Sequence, residues 1–556
     1  MTATEEILNK TIEKGNKGLE ALLNASKEGY IVNEKLLFKL LEENKNTEFG
    51  KKYGFDSITT LEEYQKRVPL STYSDYEEYI SRIEKGEKNV ITSRDIEHFA
   101  LSSGSSGKPK KVPMCREAAD LFALYTHGTC FAVMDRELKE NWVKGRGVSL
   151  TEIRFKTDNN GFTYGAVSGK VRERNKAYES YVYTTPLCVT YPKHDMDFMY
   201  MHLRFALMER DLSYITCTFM TAAYDIMRYF ENNWQMLVED IKNGTINKKV
   251  NVPESIRNEI KLEKMPQRAE EIEKECLKGF EGIIKRIWPN VAFVFGIGSE
   301  SFKIYTERLR FFLGGIKVHY SVFSASEGIF ACPVESESDE MVLIPFSAFY
   351  EFKDIKTGEI VTLDKVVKGR RYEFIITNLS GFYRYRMMDI VEVTGFYNKL
   401  PKIRFVYRLN QVLNIAGEKT NDSTMKDVII NFDSETGEKI KEYTVYADKN
   451  SSPGRYVVFT EFENELSPEN AEKYSFIMEK ALCGLNLSYA EKIRIGKLQS
   501  LVLVPLQKGT YSDYVNIMSQ KGVSVNQLKP VRVADSDEKA EFFINRMAHG
   551  HSFIQL

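Results

Sequence analysis

Apolar residues recur three or four positions apart along the first hundred residues, and this spacing predicts helices with one buried face. The pattern covers residues 4–25 and 33–44, and a further amphipathic segment covers residues 76–85. A strand-like segment follows at residues 96–101. We expect these elements to pack into a core and to carry no chemistry.

A second pattern, short apolar runs bounded by turn residues, predicts strands between residues 290 and 410. A strand at 291–295, a helix at 305–312 and a strand at 317–323 are spaced as the βαβ unit of a parallel sheet. Further strands are predicted over residues 342–349, 372–377, 390–396 and 403–407. These later strands indicate an antiparallel or barrel-like subdomain.

A polar, glycine-containing stretch at residues 408–425 interrupts the pattern. We therefore predict an N-terminal domain over residues 1–410, a hinge over 411–425 and a C-terminal α+β domain over 426–556. The elements expected in the last domain are strands at 443–447, 456–461 and 498–505 and a helix at 468–484.

Composition narrows the class of protein without identifying it. The 556 residues are 43% hydrophobic and 28% charged, which is typical of a folded globular chain. Because 77 basic residues oppose 78 acidic ones, no global field favours nucleic acid or an anionic membrane, and we expect neither as a partner. Seven scattered cysteines and an N-terminus without an apolar signal region favour reduced thiols and a cytoplasmic location.

The first candidate for chemistry is the stretch LSSGSSGKPKKVP that follows the predicted strand at residues 96–101. Its serines, Ser102, Ser103, Ser105 and Ser106, alternate with glycines and precede three lysines. Such a loop lets backbone N–H groups approach phosphate oxygens, although the spacing is not that of a Walker A loop. A phosphate cradle and a solvated linker are equally compatible with this pattern.

Two further constellations follow predicted strands. Phe323, Ser324, Ser326 and Glu327 come at the carboxyl end of the βαβ unit, where ligands bind in open α/β sheets. There an aromatic ring can stack on a base, a hydroxyl can bind phosphate and a carboxylate can bind a metal. Asp389, behind two arginines, can accept hydrogen bonds from ribose hydroxyls; the alternative is a surface strand with an Arg–Asp pair.

Taken together, the order and spacing of these three segments resemble the adenylate-forming, firefly-luciferase-like superfamily, and most closely the auxin-responsive-promoter family of acyl acid amido synthetases. The segments that carry the resemblance are Val68-Pro69-Leu70, Ser102-Ser103-Gly104-Ser105-Ser106-Gly107, Ile287-Trp288-Pro289-Asn290, Gly314-Gly315, Ser326-Glu327, Tyr383-Arg384-Tyr385-Arg386 with Asp389, Glu418-Lys419-Thr420-Asn421 and Gln527-Leu528-Lys529-Pro530. The composition, rich in Lys, Glu, Ile and Tyr, favours a bacterial member.

Two positions depart from the family pattern. Phe323 stands where the family usually has Tyr, which keeps a stacking face and loses a hydroxyl. Met388 stands where it usually has Gly, a residue that permits positive φ. Met388 therefore implies either a relaxed turn or a shifted ribose.

The resemblance implies a fold class and an activity. The fold would be α/β: a large N-terminal domain with a β-barrel-like subdomain and a small C-terminal α+β lid. The activity would be an ATP-dependent ligase that joins a small carboxylic acid to an amino acid amine through an acyl adenylate, with Mg²⁺ as the metal. We expect a monomer or weak dimer.

The resemblance also implies roles for individual residues. Lys529 and Glu327 would be catalytic, and Glu327 would hold the metal. The nucleotide would be bound by Ser102, Ser103, Ser105, Ser106, Phe323, Ser324, Ser326, Asp389, Arg408 and Lys419. The acyl group would lie against Phe122, Tyr125, Phe219 and Tyr224, the last two at the start of a helix predicted over residues 218–243.

Two alternatives stay open at this point. An acyl-CoA ligase would use the same adenylation step with a thiol as the second nucleophile. A non-catalytic protein that holds a nucleotide or an acyl adenylate is the other alternative, and Met388 in place of glycine is what favours it.

Overall fold

The computed structural model describes residues 1–101, 110–298, 303–409, 413, 415–416, 418, 420–451, 453–464, 466, 470–520 and 530–548. These residues divide into two compact units. The N-terminal unit contains the described residues of 1–101, 110–387 and 391–405, and the C-terminal unit contains 388–390 and those from 406 onward.

The helices of the N-terminal unit confirm those predicted over residues 4–25, 33–44 and 76–85. Named α1 to α16 in chain order, they are Ala3–Glu28, Tyr30–Asn44, Glu48–Tyr53, Leu61–Arg67, Glu77–Glu84, Arg116–Ala123, Thr129–Leu138, Val167–Glu173, Lys176–Val182, Leu187–Thr190, Phe198–Met208, Met220–Asn243, Glu254–Glu259, Pro266–Cys276, Ile283–Ile287 and Lys303–Leu313. Shorter helical turns cover Phe55–Ser57, Tyr73–Asp75 and Lys139–Asn141, and a π-helical turn covers Leu124–Gly128.

The strands up to residue 408 form three sheets within the described ranges. Named β1 to β16, they are Ile96–Leu101, Lys111–Cys115, Val148–Leu150, Lys156–Thr157, Thr163–Gly165, Tyr214–Phe219, Phe293–Ile297, Lys317–Tyr320, Phe323–Ala325, Gly328–Cys332, Met341–Leu343, Ala348–Asp354, Ile360–Thr362, Arg371–Asn378, Tyr385–Tyr397 and Leu400–Arg408. The sheet orders are β2-β1-β5-β4, β3-β6-β7-β8 and β13-β12-β14-β15-β16-β11-β10-β9.

The βαβ prediction is confirmed, with one correction. Strands β3, β6, β7 and β8 pair in parallel, and α16 connects β7 to β8. The predicted strand at 317–323 is wrong in its extent, because β8 ends at Tyr320 and β9 begins at Phe323 in a different sheet. The apolar run is continuous in sequence, but its hydrogen-bonding partner changes from β7 to β10.

The strand predicted over residues 342–349 is also divided, into β11 and β12. Pro345 lies in the gap and has no N–H to give to a ladder. The buried side chain of Asn33, on α2, makes hydrogen bonds on both sides of this interruption. Its NH₂ group donates to the carbonyls of Pro345 (3.2 Å) and Ala348 (2.7 Å), and its Oδ1 atom accepts from the Tyr350 N–H (3.1 Å). The antiparallel character predicted for this region is confirmed by the pairs β10–β11, β11–β16, β12–β13 and β12–β14.

Helix α1 packs tightly against the π-helical turn. A Cβ atom on Gly15 would lie 1.9 Å from the Gly128 carbonyl oxygen, so the two backbones approach as only glycine allows. The buried Tyr125 hydroxyl donates to the Gly18 carbonyl on the same face of α1 (3.2 Å). The turn that carries Tyr125 is therefore fixed by α1.

The C-terminal unit has helices on a four-stranded mixed sheet. In chain order its elements are α17 Asp422–Thr436, β17 Ile440–Asp448, β18 Arg455–Phe462, α18 Asn470–Leu485, α19 Leu487–Arg494, β19 Val502–Pro505, α20 Thr510–Gln520, β20 Val533–Ala534 and α21 Asp537–Ile544. The sheet order is β19-β18-β17-β20. The strand predicted over 498–505 begins only at Val502, because the Leu501 N–H donates to the Glu479 carboxylate instead of a ladder.

None of the helices in the described ranges combines the length and the apolar character that crossing a lipid bilayer requires.

Candidate active site

Ser326 and Glu327 form the two-residue turn of the hairpin between β9 and β10. Ala325 pairs with Gly328 and Ser324 with Ile329 on either side of the turn. The hairpin directly follows β8, whose carboxyl end is where an α/β sheet offers ligand sites. Both turn side chains are partly exposed, so each can reach a ligand.

Glu327 is held at its backbone and at its side chain by two different strands. The Asn378 amide, at the end of β14, donates to the Glu327 carbonyl oxygen (2.7 Å). The Tyr385 hydroxyl, at the start of β15, donates to Glu327 Oε1 (3.2 Å). The predicted metal ligand thus has a fixed position and one occupied oxygen.

The Glu327 carboxylate is chemically suited to Mg²⁺. This ion often takes one or two protein carboxylates and fills its remaining positions with substrate phosphates and water. A partly exposed carboxylate whose neighbour is a tyrosine hydroxyl matches that requirement. Glu327 would hold the ion, and the ion would neutralise charge on bound phosphates.

Phe323 lies in an aromatic cluster of the long antiparallel sheet. Its ring centroid is 5.5 Å from that of Phe374, 5.8 Å from Phe330 and 6.1 Å from Phe405. The ring is only partly buried. The ring is therefore supported by neighbouring aromatic side chains and keeps an exposed part that a base can contact.

The arginines of the Tyr383–Arg386 run are used inside the fold. The Arg384 guanidinium donates to both oxygens of the buried Glu351 carboxylate, and Arg386 makes a bidentate pair with Glu373. Arg384 also donates to two backbone carbonyls near α4 (2.8 and 2.9 Å). Both guanidinium groups thus tie strands together, which leaves Tyr385 as the member of the run that touches Glu327.

Asp389 is buried in the C-terminal unit and bound by Arg408. The Arg408 guanidinium donates to Oδ1 (2.6 Å) and Oδ2 (3.1 Å) of the carboxylate, which is 2% exposed. The predicted nucleotide residues Asp389 and Arg408 are therefore in direct contact. The alternative, a surface strand with an Arg–Asp pair, is met only in the pair: Asp389 is buried, and its partner is Arg408, while Arg384 and Arg386 bind other carboxylates.

Met388, next to Asp389, keeps the backbone conformation that a glycine would adopt. Its φ is 59°, in the left-handed region that L side chains rarely occupy. The relaxed turn considered from the sequence is therefore not what the structure shows. The methionine retains the turn and carries a conformational cost for it.

The strand that follows the Ser/Gly/Lys loop is fixed by Tyr73. The Tyr73 hydroxyl accepts from the Lys111 N–H (2.8 Å) and donates to the Lys111 carbonyl (3.3 Å). Burial, mainly, and nearby carboxylates including Glu327 raise the pKa of Tyr73, so its hydroxyl stays protonated and able to donate. The Lys111 ammonium is paired with Glu84 (2.7 Å), which removes one of the three lysines from the group that would bind phosphate.

Several predicted site residues lie outside the described residues: Ser102, Ser103, Ser105, Ser106, Lys419 and Lys529. Glu418, the residue before Lys419, is buried in the C-terminal unit and its carboxylate accepts several hydrogen bonds. Its carboxylate accepts from the backbone N–H groups of Ile415 and Ala416 (2.7 Å each) and from the Tyr456 hydroxyl (2.6 Å). This part of the predicted hinge is thus tied to β18.

The four predicted acyl-site residues are buried in two separate apolar clusters. Phe122 and Tyr125 pack with the long antiparallel sheet. Phe219 and Tyr224 pack around α12, where the Tyr224 ring lies 6.2 Å from Tyr305 and 6.3 Å from Phe312. Within the described residues, no apolar cluster contains members of both pairs.

Three contacts were missed by sequence reasoning: those of Asn378, Tyr385 and Glu418. Tyr385 and Glu418 belong to segments that the resemblance had already marked, so their chemistry could have been suspected there. Asn378 precedes a Leu-Ser-Gly turn and carries no signal of its role in the sequence. Its partner Glu327 is 51 residues away, and only folding brings the two together.

Comparison with known proteins supports one family along almost the whole chain. Three GH3 family models match: the N-terminal domain at residues 18–318, the central domain at 341–408 and the C-terminal domain at 424–538. The chain is 30% identical to the putative indole-3-acetic acid-amido synthetase GH3.9 of Arabidopsis thaliana, covering 95% of each. It is 28% identical to the jasmonoyl-L-amino acid synthetase GH3.5 of Oryza sativa subsp. japonica, covering 93% of this chain and 94% of that one.

Solved structures show the same fold. The AtGH3.15 acyl acid amido synthetase in complex with 2,4-DB has a TM-score of 0.83 at 24% identity over 96% of each chain. A 2-hydroxyisobutyryl-CoA ligase with 2-HIB-AMP has a TM-score of 0.52 at 13% identity, over 93% of this chain and 90% of that one. The predicted α/β, adenylate-forming fold class is confirmed. Since the N-terminal family model alone covers more than half of the 556 residues, the chain belongs to the GH3 family.

Proposed function

We propose that this chain is an ATP-dependent acyl acid amido synthetase, which adenylates a small carboxylic acid and then transfers the acyl group to the amine of an amino acid. The observation that carries this proposal is the end-to-end match to relatives named as acid–amino acid synthetases, which extends over both units of the chain. The supported Glu327 turn is the feature of this molecule that suits the first step.

The physical problem of that step is charge, because an anionic carboxylate must attack an anionic α-phosphate. We assign Glu327 to Mg²⁺, which would screen the phosphate oxygens when bound. Hydroxyls and backbone donors from Ser102, Ser103, Ser105 and Ser106, together with Lys529, would stabilise the charge that develops on the transferring group. The amine would then displace AMP from the acyl adenylate.

Several further residues would bind the nucleotide. Phe323 would stack on adenine, Ser324 and Ser326 would donate to phosphate oxygens, and Lys419 would add positive charge. Asp389 would accept from the ribose hydroxyls, and Arg408 would hold that carboxylate in place through its two hydrogen bonds.

The remaining proposals concern the acyl group, the domain division and the setting of the protein. The aromatic side chains of Phe122, Tyr125, Phe219 and Tyr224 favour an apolar acyl group. We further propose a domain division at residues 1–410 and 426–556 with a hinge at 411–425, a cytoplasmic location and a monomer or weak dimer. A bacterial origin rests on the composition alone, since the relatives reported above are plant proteins.

The decisive experiment incubates the protein with ATP, Mg²⁺ and a library of carboxylic acids while pyrophosphate is measured. Release that depends on the acid supports adenylation, and trapping of the acyl group with hydroxylamine identifies the acid. Amino acids and coenzyme A are then offered separately. Product with an amino acid supports the amido synthetase, product with coenzyme A supports the acyl-CoA ligase, and no release with any acid supports the binding protein.

A further inference from the structure

We infer that Tyr385 is a positioning residue for Glu327: its hydroxyl holds the carboxylate in the orientation in which it meets a divalent cation, and Asn378 fixes the turn beneath it. The inference rests on the proposed function, because it concerns the metal carboxylate of the adenylation step. It assigns a role in that site to two residues outside the turn itself.

The Ser326–Glu327 turn differs from the commonest two-residue hairpin turns and is contacted by another strand. Two-residue hairpin turns usually take positive φ at one or both central residues. Neither Ser326 nor Glu327 is among the described residues with positive φ. The Asn378 amide, at the end of β14, holds the Glu327 peptide from outside the hairpin through a 2.7 Å hydrogen bond to its carbonyl oxygen.

The orientation of the Asn378 amide is set by the hydrogen bonds that its Oδ1 atom accepts. Its Oδ1 accepts from the N–H groups of Ser380 (3.1 Å) and Phe382 (3.0 Å), so its NH₂ group must face the Glu327 carbonyl. Asn378 is 4% exposed, and water cannot readily replace these bonds. The turn is thus anchored to the loop at the end of β14.

Tyr385 belongs to the same set of contacts and binds the side chain of Glu327. Its ring is 2% exposed and stacks on Phe382 with centroids 4.6 Å apart and planes 16° apart. Phe382 is the residue whose N–H is bound by Asn378, so the backbone and the carboxylate of Glu327 are held by one connected set of groups. A carboxylate bound at one oxygen by a fixed donor presents its second oxygen in a defined direction.

The test compares wild type with Tyr385→Phe, which keeps the stacked ring and removes only the hydroxyl. Tyr383→Phe is the matched control, because Tyr383 is equally buried and its hydroxyl donates to the Ile91 carbonyl (3.0 Å), away from Glu327. Binding of Mn²⁺ in the presence of α,β-methylene ATP is measured by electron paramagnetic resonance, together with the Mg²⁺ dependence of pyrophosphate release. We expect Tyr385→Phe to weaken cation binding about 10-fold and Tyr383→Phe to leave it unchanged.

A double-mutant cycle with Glu327→Gln separates positioning from general destabilisation. If Tyr385 acts through the carboxylate, Tyr385→Phe has no further effect on Mn²⁺ binding once Glu327 is Gln. Additive losses, or equal cation affinity in wild type and Tyr385→Phe, overturn the inference. A wild-type protein that binds no Mn²⁺ with the nucleotide and releases no pyrophosphate overturns the proposed function as well, so the two failures are distinguished by the wild type alone.

Discussion

Two carboxylates that we propose as site residues, one in each unit, are supported in opposite ways. Glu327, in the N-terminal unit, is partly exposed; a tyrosine hydroxyl donates to its carboxylate, and an asparagine amide donates to its backbone carbonyl. Asp389, in the C-terminal unit, is 2% exposed and bound by the two N–H groups of an arginine, beside a methionine with positive φ.

The difference matches what each carboxylate would do. A metal ligand must keep its charge available to the cation, and a neutral donor leaves that charge unneutralised. An acceptor for hydroxyl groups needs a fixed position more than free charge, and a bidentate arginine supplies the position. The comparison teaches that the partner of a carboxylate is as informative as the carboxylate itself.

The largest effect is expected for Glu327→Gln. The substitution keeps the shape and the hydrogen-bonding capacity towards Tyr385 but removes the negative charge, so acid-dependent pyrophosphate release should fall roughly 100-fold or more. The change is measured at saturating ATP, and protein folding is checked by thermal unfolding. Wild-type release from this variant would exclude Glu327 as the metal ligand.

A smaller and different effect is expected for Asp389→Ala. Hydrogen bonds to a charged acceptor contribute about 1.5–3 kcal/mol each, so the KM for ATP should rise about 10-fold or more while the Mg²⁺ dependence stays as in wild type. Steady-state kinetics with varied ATP measure this. Glu327→Gln is the comparison variant, because its expected defect is in pyrophosphate release at saturating ATP. A KM for ATP that is unchanged in Asp389→Ala would mean that the ribose binds elsewhere.

The two units should also differ in their response to acid. Burial lowers the pKa of His98 and His319 to about 4 and that of His202 to about 3, from 6.5, and all three lie in the N-terminal unit. These histidines are neutral when folded and charge on unfolding, so their contribution to stability is complete above pH 6.5 and is lost as the pH falls towards 4.

Thermal unfolding between pH 8 and 5 should therefore show a falling midpoint for the transition of the N-terminal unit. His202→Gln should flatten this dependence, because it removes a buried imidazole. A midpoint independent of pH in this range would contradict the expectation.

The smallest effect is expected for Met388→Gly. Glycine removes a left-handed penalty of about 1–2 kcal/mol but adds freedom to the unfolded chain, so a net gain of up to about 1 kcal/mol in the free energy of unfolding is expected. Urea denaturation measures it. Met388→Ala keeps a Cβ atom at the same φ and should give no gain; equal gains from both variants would mean that the methionine side chain, not the backbone, carries the cost.

Many of the helices and strands were predictable from the sequence, and so was the family. Helices α1, α2 and α5 follow from apolar spacing, which depends only on the 3.6-residue period. The errors came where pairing partners change along one apolar run, as at Tyr320 and Phe323, or where a proline interrupts it, as at Pro345. The candidate carboxylates Glu327 and Asp389 were found by their place after predicted strands, and their roles stay proposals.

By itself, the sequence determined the periodic elements, because these depend on local spacing, and its ordered motifs carried the resemblance that implied the family and the acid–amino acid ligase activity. Only the tertiary structure decided which partner each charged group takes. Arg384 binds Glu351, Arg408 binds Asp389, and Tyr385 binds Glu327, each across 19 or more residues. Such contacts are set by strand register and packing, which bring together side chains that no local pattern relates.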